Sequence, residues 1–356
     1  MTDGILLIDK PEGITSFDVV ARVRRLFGTK QVGHTGTLDP LATGLLVVLV
    51  GRAVKASELL IEKDKEYIAG LRLGITTDTE DITGSVLTRS ESLPAREEVA
   101  AAAGQFIGEL LQTPPMYSAL KVGGKKLVDL ARQGITVERT PRPVTIRSLE
   151  ILGGEGPDYQ IRVSCSKGTY IRTLLADIGK ALGCGGTMYA LRRTRAGSCS
   201  VQDAHTLAEI EAMPADARQT LLSPTESLFE EYPRVMLPAF FERLARCGCE
   251  IYQKKIGTAY PEGTRLRMYG EAGFFALGEV RVYPDGTAEN ADMRIIPCSI
   301  SSQEKVNDFK PTPKDADGAQ ALLARLDQLN AQFEKAFSKT GVSAVSPYPT
   351  EWKYAY

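Results

Sequence analysis

One loop, residues 33–44 (GHTGTLDPLATG), constrains this chain more than any other segment, because it sets a single carboxylate among turn-forming and small residues. Its three glycines and one proline argue against a regular element. The apolar run that follows, 45–50 (LLVVLV), is typical of a buried strand. We therefore expect Asp39 to project from a loop whose base is held by that strand. A second interpretation, in which Asp39 only turns the chain ahead of Pro40, stays open at this point.

Length and composition exclude several classes of protein. A chain of 356 residues exceeds the size at which one hydrophobic core usually stops growing, so we expect two domains. No apolar stretch approaches the roughly 20 residues of a membrane-spanning helix, and the apolar run near the N-terminus follows no basic segment. We expect a cytoplasmic protein that does not bind membranes. The six cysteines form no CxxC pair and only His34 and His205 accompany them, so we expect no metal site.

Charge is segregated along the chain although the net charge is only −1. Residues 121–200 carry fourteen Lys and Arg against six Asp and Glu, whereas residues 61–120 carry five against ten. A basic block of this kind can neutralise phosphates while the whole molecule stays near neutral. A solvated charged face is the alternative that charge alone leaves open.

The pattern of apolar residues predicts a mixture of strands and helices. Strands are expected at 5–9, 66–74 and 159–165, and helices at 16–27 (capped by Thr15 or Ser16), 94–110 and about 170–182. The acidic run 76–84 is expected to be a loop, and residues 121–142 an exposed basic excursion.

The composition changes near residues 232–233, where we place a domain boundary. Between 237 and 298, short apolar runs (264–268, 274–282 and 293–296) are separated by glycine and proline turns, which is the pattern of a small β-barrel. After residue 299 the chain turns polar and then offers an amphipathic helix from 319 to 337.

Several side chains could together perform carboxylate chemistry on a phosphate-bearing substrate. A carboxylate such as Asp39 can attack a sugar carbon if it stays ionised, and an arginine within hydrogen-bonding reach, for which Arg172 is our candidate, favours and orients that anion. An aromatic side chain such as Tyr67 could stack on a base that has been taken out of its helix. Taken singly, a strand tyrosine more often packs in a core and an arginine more often lies at the surface.

Five segments and a closing motif, taken in order, resemble the bacterial tRNA pseudouridine-55 synthases, the TruB family. The segments are 6–16 (LLIDKPEGITS), 33–44, 65–67 with 73–81 (KEY, LGITTDTED), 114–121 (PPMYSALK) and 165–174 (CSKGTYIRTL), closed by 191–194 (LRRT). Together they span nearly all of residues 4–197.

The resemblance implies that the chain isomerises uridine to pseudouridine at position 55 in the T-loop of tRNA, with Asp39 as the catalytic aspartate acting at C1′ of a flipped-out uridine. No cofactor is implied. Two mechanisms stay open, a covalent sugar adduct of the carboxylate and abstraction of a C2′ proton to give a glycal, and both need Asp39 ionised.

The resemblance also implies substrate-binding roles for six side chains. Tyr67 would stack on the uracil, Arg172 would pair with Asp39, Tyr170 would shape the pocket, Leu191 would pack beside it, and His34 would hold the everted nucleotides. Lys10 matches a lysine of the first motif, and its role could be structural or could act through the RNA.

The fold implied is α+β, a mixed, largely antiparallel sheet flanked by helices, with a small C-terminal β-barrel that looks like the RNA-binding PUA domain. We expect a catalytic domain over residues 1–235, the PUA-like domain over 236–298 and a polar extension over 299–356. The excursion 121–142 corresponds to the insertion that closes over the T-arm of tRNA. Its plausible phosphate contacts are Lys121, Lys125, Lys126 and Arg132. Val128 stands where the family often has tyrosine.

Two alternatives compete with a stand-alone tRNA enzyme. The archaeal and eukaryotic relatives work with guide RNA and partner proteins, but a basic insertion that grips tRNA directly argues for a monomer that needs no guide RNA. A tRNA-folding chaperone, which would bind tRNA and open its elbow, would not require Asp39, Tyr67 and Arg172, although the two activities can coexist.

Overall fold

The apolar strands of the chain assemble into one large sheet. The structure is a computed structural model that describes residues 3–57 and 63–282, and the backbone of 283 and 292–298. The strands up to residue 206 are β1 (Gly4–Lys10), β2 (Val32–His34), β3 (Thr43–Val50), β4 (Lys65–Leu73), β5 (Ile75–Thr77), β6 (Val86–Arg89), β7 (Gly108–Gln112), β8 (Lys121–Val122), β9 (Lys125–Lys126), β10 (Arg142–Glu155), β11 (Asp158–Cys165), β12 (Gly186–Ala196), β13 (Cys199–Ser200) and β14 (His205–Thr206).

The large sheet is mixed and mostly antiparallel, as expected from the sequence. Its order is β14-β1-β3-β12-β4-β11-β10-β7, with β2 paired to β3 and β13 to β12. Only the β1–β14 and β3–β12 pairs are parallel among the described strands of this sheet. Two hairpins, β5–β6 and β8–β9, stand apart from it.

The α-helices of the described residues are short, and all but the last belong to the part of the chain that forms this sheet. They are α1 (Ser16–Leu26), α2 (Arg96–Gly104), α3 (Leu127–Arg132), α4 (Ile171–Ala181), α5 (Leu207–Ala212) and α6 (Ala239–Arg246). Helix α1 begins where expected, because the Thr15 hydroxyl accepts a hydrogen bond from Asp18 N at 3.1 Å and Thr15 N donates to the Asp18 carboxylate at 2.8 Å. The strands expected at 5–9, 66–74 and 159–165, and the helix at 170–182, are confirmed within one or two residues.

Strand β3 lies inside the sheet and is covered on both faces. Leu46, Val48 and Val50 belong to the core cluster that also contains α1 and α4, whereas Leu45 and Val47 belong to a second cluster on the opposite face. Burial of one such side chain contributes about 1.5–3 kcal/mol. The loop that carries Asp39 therefore ends on one of the most firmly held strands of the fold.

Two sequence expectations were wrong in extent. The helix expected at 94–110 ends at Gly104, and residues from Gly108 form strand β7 instead. The chain turns between them through hydrogen bonds such as Phe106 N to Ala103 O at 3.1 Å, and Gly108 has a φ of 113°, which no helix accommodates. The run 76–84 is not wholly a loop, because its first two residues belong to strand β5.

The basic excursion 121–142 has structure of its own. Strands β8 and β9 form a hairpin and α3 follows directly. Leu127 and Leu130 on α3 are buried, whereas Lys121, Lys125, Lys126 and Arg132 are exposed. The start of α3 folds back on the segment before the hairpin, where Val128 N donates to Ser118 O at 3.1 Å.

A second sheet follows the main one. Its strands are β15 (Arg234–Met236), β16 (Ile251–Tyr252), β17 (Arg265–Gly270), β18 (Gly273–Tyr283) and β19 (Asp292–Cys298), in the order β15-β17-β18-β19-β16. The three strands expected between 264 and 296 are confirmed. Whether this sheet closes as a PUA-like barrel stays a prediction.

Residues 299–356, and with them the amphipathic helix expected at 319–337, lie outside the described residues. Within the part of the chain that the structure describes, no helix is both long and apolar enough to cross a membrane.

Candidate active site

A cleft of about 550 Å³ opens where the loop after β2, the start of α4 and strands β4 and β12 meet. Most of the site residues expected from the sequence line it, although they come from segments as distant as residues 34 and 193. These are His34, Asp39, Tyr67, Lys126, Tyr170, Arg172 and Leu191.

The Asp39 loop is held by hydrogen bonds on both sides of the carboxylate. The buried Ser16 hydroxyl donates to Leu38 O at 3.1 Å and accepts from Leu38 N at 2.8 Å. On the other side, Pro40 O accepts from Gly13 N at 2.8 Å. The Asp39 side chain keeps 40% of its exposure. It is therefore a carboxylate on a fixed loop that remains reachable from the cleft.

Arg172 lies between two carboxylates. Its Nε is 3.1 Å from Asp39 Oδ2 and its Nη1 is 3.3 Å from Asp81 Oδ2. The Arg172 and Asp81 side chains are only 6% and 8% exposed. Arg172 donates further to Thr79 O at 3.0 Å from Nη1 and to Tyr117 O at 2.7 Å from Nη2. The guanidinium is thus fixed in one orientation, with one edge turned to Asp39.

Asp81 was not among the residues expected from the sequence to form the site. Its second carboxylate oxygen accepts hydrogen bonds from the Thr79 hydroxyl at 2.9 Å and from Thr83 N at 3.0 Å. A partial signal was present in the run 76–84, where threonines at 77, 79 and 83 lie within four residues of Asp81. Only the fold, however, brings this turn beneath α4.

The environment of Asp39 acts on its charge in opposing directions. Burial raises the pKa of the Asp39 carboxyl above its ordinary value, the Arg172 guanidinium lowers it, Asp81 raises it and Lys10 lowers it. Burial is the largest of these effects and the net pKa of Asp39 is raised, while Arg172 is the strongest of the groups that favour the ionised carboxylate.

Tyr67 and His34 both lie beside Arg193, a second arginine that the sequence did not single out. Tyr67 and Arg193 are cross-strand neighbours on β4 and β12. Arg193 is 2% exposed, and it donates from Nε to Leu45 O at 2.7 Å and from Nη2 to Gly36 O at 3.1 Å. The sequence gives no sign of this role, because Arg192 and Arg193 are adjacent residues of the same type. Their side chains point to opposite faces of β12, and this alternation places Arg193 in the interior.

Arg193 influences the ionisation of both neighbours. Burial raises the pKa of the Tyr67 hydroxyl, and Arg193 opposes that rise. Burial and then Arg193 lower the pKa of His34, so His34 is neutral near pH 7. Since His34 Nδ1 accepts a hydrogen bond from Gly36 N at 3.3 Å, its Nε2 carries the proton and can donate to a ligand.

Lys10 is not among the residues that line the cleft, and its expected role as a substrate-binding residue stays a prediction. It is fully buried, and its Nζ donates to Pro11 O and Ile14 O at 2.8 Å and to Pro40 O at 3.4 Å. Burial lowers the pKa of Lys10 to about 8. Of the two roles left open by the sequence, this geometry matches the structural one, because the ammonium ties the segment after β1 to the residue following Asp39.

The described residues contain no cluster of three or more His, Cys, Asp or Glu side chains suited to a metal ion.

Comparisons with known proteins agree with the motifs. A family model described as TruB family pseudouridylate synthase (N terminal domain) matches residues 24–171, and one described as tRNA pseudouridylate synthase B C-terminal domain matches residues 172–230. The chain is 44% identical over 304 residues to tRNA pseudouridine synthase B of Aromatoleum aromaticum, covering 85% of this chain and 96% of that protein. It is 47% identical over 282 residues to the protein of the same name in Ralstonia nicotianae, covering 77% and 89%.

Solved structures share the fold at lower identity. A chain in the crystal structure of a Cbf5-Nop10-Gar1 complex is 26% identical, with a TM-score of 0.63 and 83% of each chain covered. A chain in the structure of an H/ACA RNP bound to a substrate RNA containing 2′-deoxyuridine is 24% identical, with a TM-score of 0.60 and the same coverage.

Proposed function

The chain belongs to the TruB family of pseudouridine synthases, and on that premise we propose that it converts uridine to pseudouridine at position 55 in the T-loop of tRNA. That it is a tRNA pseudouridine synthase, an isomerase acting on tRNA uridine, follows from the family match and from relatives that are 44–47% identical over most of the chain. The target position, the roles of single residues and the manner of RNA binding are the proposal.

One observation carries the chemical part of the proposal, a carboxylate that faces the cleft while its other side is held by a buried arginine. Asp39 is 3.1 Å from Arg172 and 40% exposed. An ionised carboxylate in this position can act at C1′ of a ribose. The bond from C1′ to N1 of uracil breaks, and its electron pair leaves with the base. The base then turns so that C5 bonds to C1′, C5 loses its proton and N1 gains one.

The remaining cleft residues can hold the everted nucleotide. Tyr67 presents a ring at the base of the cleft on which uracil can stack. Neutral His34 offers an Nε2 donor to a neighbouring nucleotide, while Tyr170 and Leu191 complete the walls. A covalent adduct of Asp39 and a glycal intermediate are both compatible with this arrangement.

We assign RNA binding to the exposed cations of the basic excursion. Lys121, Lys125, Lys126 and Arg132 are all exposed, and Lys126 also lines the cleft. They can contact phosphates of the T-arm next to the reacting uridine. The second sheet is proposed to be a PUA-like RNA-binding domain. The higher identity to tRNA pseudouridine synthase B proteins than to chains of H/ACA complexes favours a cytoplasmic monomer that works without guide RNA.

The proposal is tested by mapping pseudouridine in tRNA from cells with and without this protein. Purified protein and an unmodified tRNA transcript provide the second arm, with the Asp39→Asn variant as the control for catalysis. We expect pseudouridine at position 55 to depend on the protein in both settings. Modification at another position, or a product that forms equally with Asp39→Asn, would overturn it.

A further inference from the structure

A glutamine outside the quoted motifs forms two hydrogen bonds with the backbone of a residue that lines the cleft. Gln112, the last residue of the edge strand β7, is 2% exposed. Its Nε2 donates to Tyr170 O at 3.0 Å, and its Oε1 accepts from Tyr170 N at 2.7 Å. Both polar groups of the Gln112 side-chain amide are therefore paired with the backbone C=O and N–H of a single residue 58 positions away.

Tyr170 is the N-cap residue directly before α4, and its own side chain makes no capping hydrogen bond. Its carbonyl also accepts the first bond of the helix, from Leu174 N at 3.0 Å. Gln112 thus fixes the position from which the helix starts. Arg172 lies two residues further on, in the first turn, so the placement of its guanidinium against Asp39 depends on where that turn begins.

The segment that follows Gln112 contacts the same helix turn a second time. Tyr117 O accepts from Arg172 Nη2 at 2.7 Å, and the basic excursion begins four residues later. Gln112 and Tyr117 therefore hold the segment between β7 and the excursion to Tyr170 and Arg172 at two points. A shift of this segment would move the arginine that orients Asp39.

We propose that Gln112 is a positioning residue for the isomerisation, acting through Tyr170 and Arg172 rather than on the RNA. This inference rests on the proposed function of the cleft. Loss of the amide would leave Tyr170 N without its partner and Tyr170 O with only the helix bond from Leu174 N, and would free the start of α4 to move. A displacement of about 1 Å in a catalytic arrangement can cost about a hundredfold in rate.

The chain contains a matched control for this contact. Gln253, which follows strand β16 of the second sheet, is also 2% exposed. Its side chain forms the same pair of hydrogen bonds with the backbone of Tyr260. Its Nε2 donates to Tyr260 O at 3.0 Å and its Oε1 accepts from Tyr260 N at 2.7 Å. Gln253→Met therefore removes the equivalent two backbone hydrogen bonds at the same burial, together with a longer bond from the Thr258 hydroxyl at 3.5 Å, away from the cleft.

The test compares Gln112→Met with Gln253→Met in the full-length protein. Met keeps the length of the side chain and removes both hydrogen-bonding groups. We expect both variants to lower the Tm by a similar amount. Only Gln112→Met should slow the single-turnover rate at saturating enzyme, by about 10- to 100-fold, while its Kd for tRNA stays at the wild-type value.

A Gln112→Met variant whose Tm falls as in the control while its saturating rate stays at the wild-type value would reduce Gln112 to a structural role. A change in Kd alone would equally overturn the inference. If this variant does not fold, Gln112→Asn takes its place, because it keeps the amide but is one methylene too short to hold both hydrogen bonds without moving Tyr170. The rates are measured on whichever uridine the wild-type protein converts, so a wrong target position would count against the proposed function and not against Gln112.

Discussion

Replacing Arg172 with Met tests whether this arginine supports catalysis by keeping Asp39 charged, and not only by shaping the cleft. The substitution removes a side chain that is 6% exposed and contacts Asp39 at 3.1 Å and Asp81 at 3.3 Å. Two unit charges at the first distance attract by about 5 kcal/mol at an effective dielectric constant of about 20, and by about 1 kcal/mol in water. Because Asp39 is 40% exposed, the true value lies toward the lower end.

The cost to stability comes mostly from Asp81. That carboxylate is 8% exposed and loses its cationic partner, a change that typically costs about 3–5 kcal/mol in a buried site. For a domain of this size, about 2–4 °C are lost for each kcal/mol, so we expect the Tm to fall by about 6–20 °C. Differential scanning calorimetry measures this directly.

The structure also predicts the direction in which Arg172→Met changes the pH dependence of the rate. Burial already raises the pKa of Asp39 and Arg172 opposes that rise, so removing Arg172 raises the pKa further. Since the reaction needs the ionised carboxylate, the acid limb of the rate profile should move to higher pH, and the rate at neutral pH should fall. Single-turnover release of tritium from C5-labelled tRNA, measured across the pH range in which the variant stays folded, gives both quantities.

A matched control distinguishes the loss of Arg172 beside Asp39 from the general effect of losing an arginine that pairs with a carboxylate. Arg72→Met breaks the two-point pair between Arg72 and Asp158, with both contacts at 2.7 Å, on the main sheet away from the cleft. That pair is more than a third exposed, so its loss should cost at most about 1 kcal/mol and leave the rate profile in place. If Arg172→Met kept the wild-type rate and the wild-type acid limb, Arg172 would not be the group that maintains the Asp39 anion.

Local sequence signals were sufficient for most of the fold. The Thr15 cap, the apolar run 45–50 and the alternation at 159–165 each report on contacts within a few residues or on burial of a whole strand, and the structure has the corresponding elements. The helix expected at 94–110 shows where such signals end. Alanine-rich sequence favours a helix. Gly108, however, pairs with Ile146 in the sheet, so the last residues of the expected helix belong to β7.

The cleft was predictable only for residues that a motif marks by their chemistry. Asp39 and Arg172 are such residues, and the fold brings them together. Asp81, Gln112 and Arg193 act through contacts with residues 91, 58 and 157 positions away, and no local pattern encodes those distances. Lys10 differs from these, because the motif marks it by its charge but not by its burial, and only the fold shows that its ammonium donates to three carbonyl groups.

Further predictions separate chemistry, RNA binding and stacking. Asp39→Asn should leave Tm and tRNA affinity nearly unchanged and abolish pseudouridine formation, because an amide cannot act as a carboxylate; retained turnover would remove Asp39 from the mechanism. Charge removal at Lys121, Lys125 and Lys126, which are exposed, should weaken tRNA binding and lower the slope of log affinity against log salt by up to about 0.9 per lost phosphate contact, whereas an unchanged slope would assign them to a solvated face. Tyr67→Phe keeps the ring and Tyr67→Leu removes it, and loss of one base-stacking contact costs about 1–3 kcal/mol, so Leu should be poor whichever role the tyrosine has. If Tyr67 only stacks, Phe should retain most of the single-turnover rate; if its hydroxyl also transfers a proton, Phe should bind tRNA normally and react very slowly. An active Leu variant would mean that Tyr67, which is 8% exposed beside Arg193, is ordinary packing and that the base does not stack there.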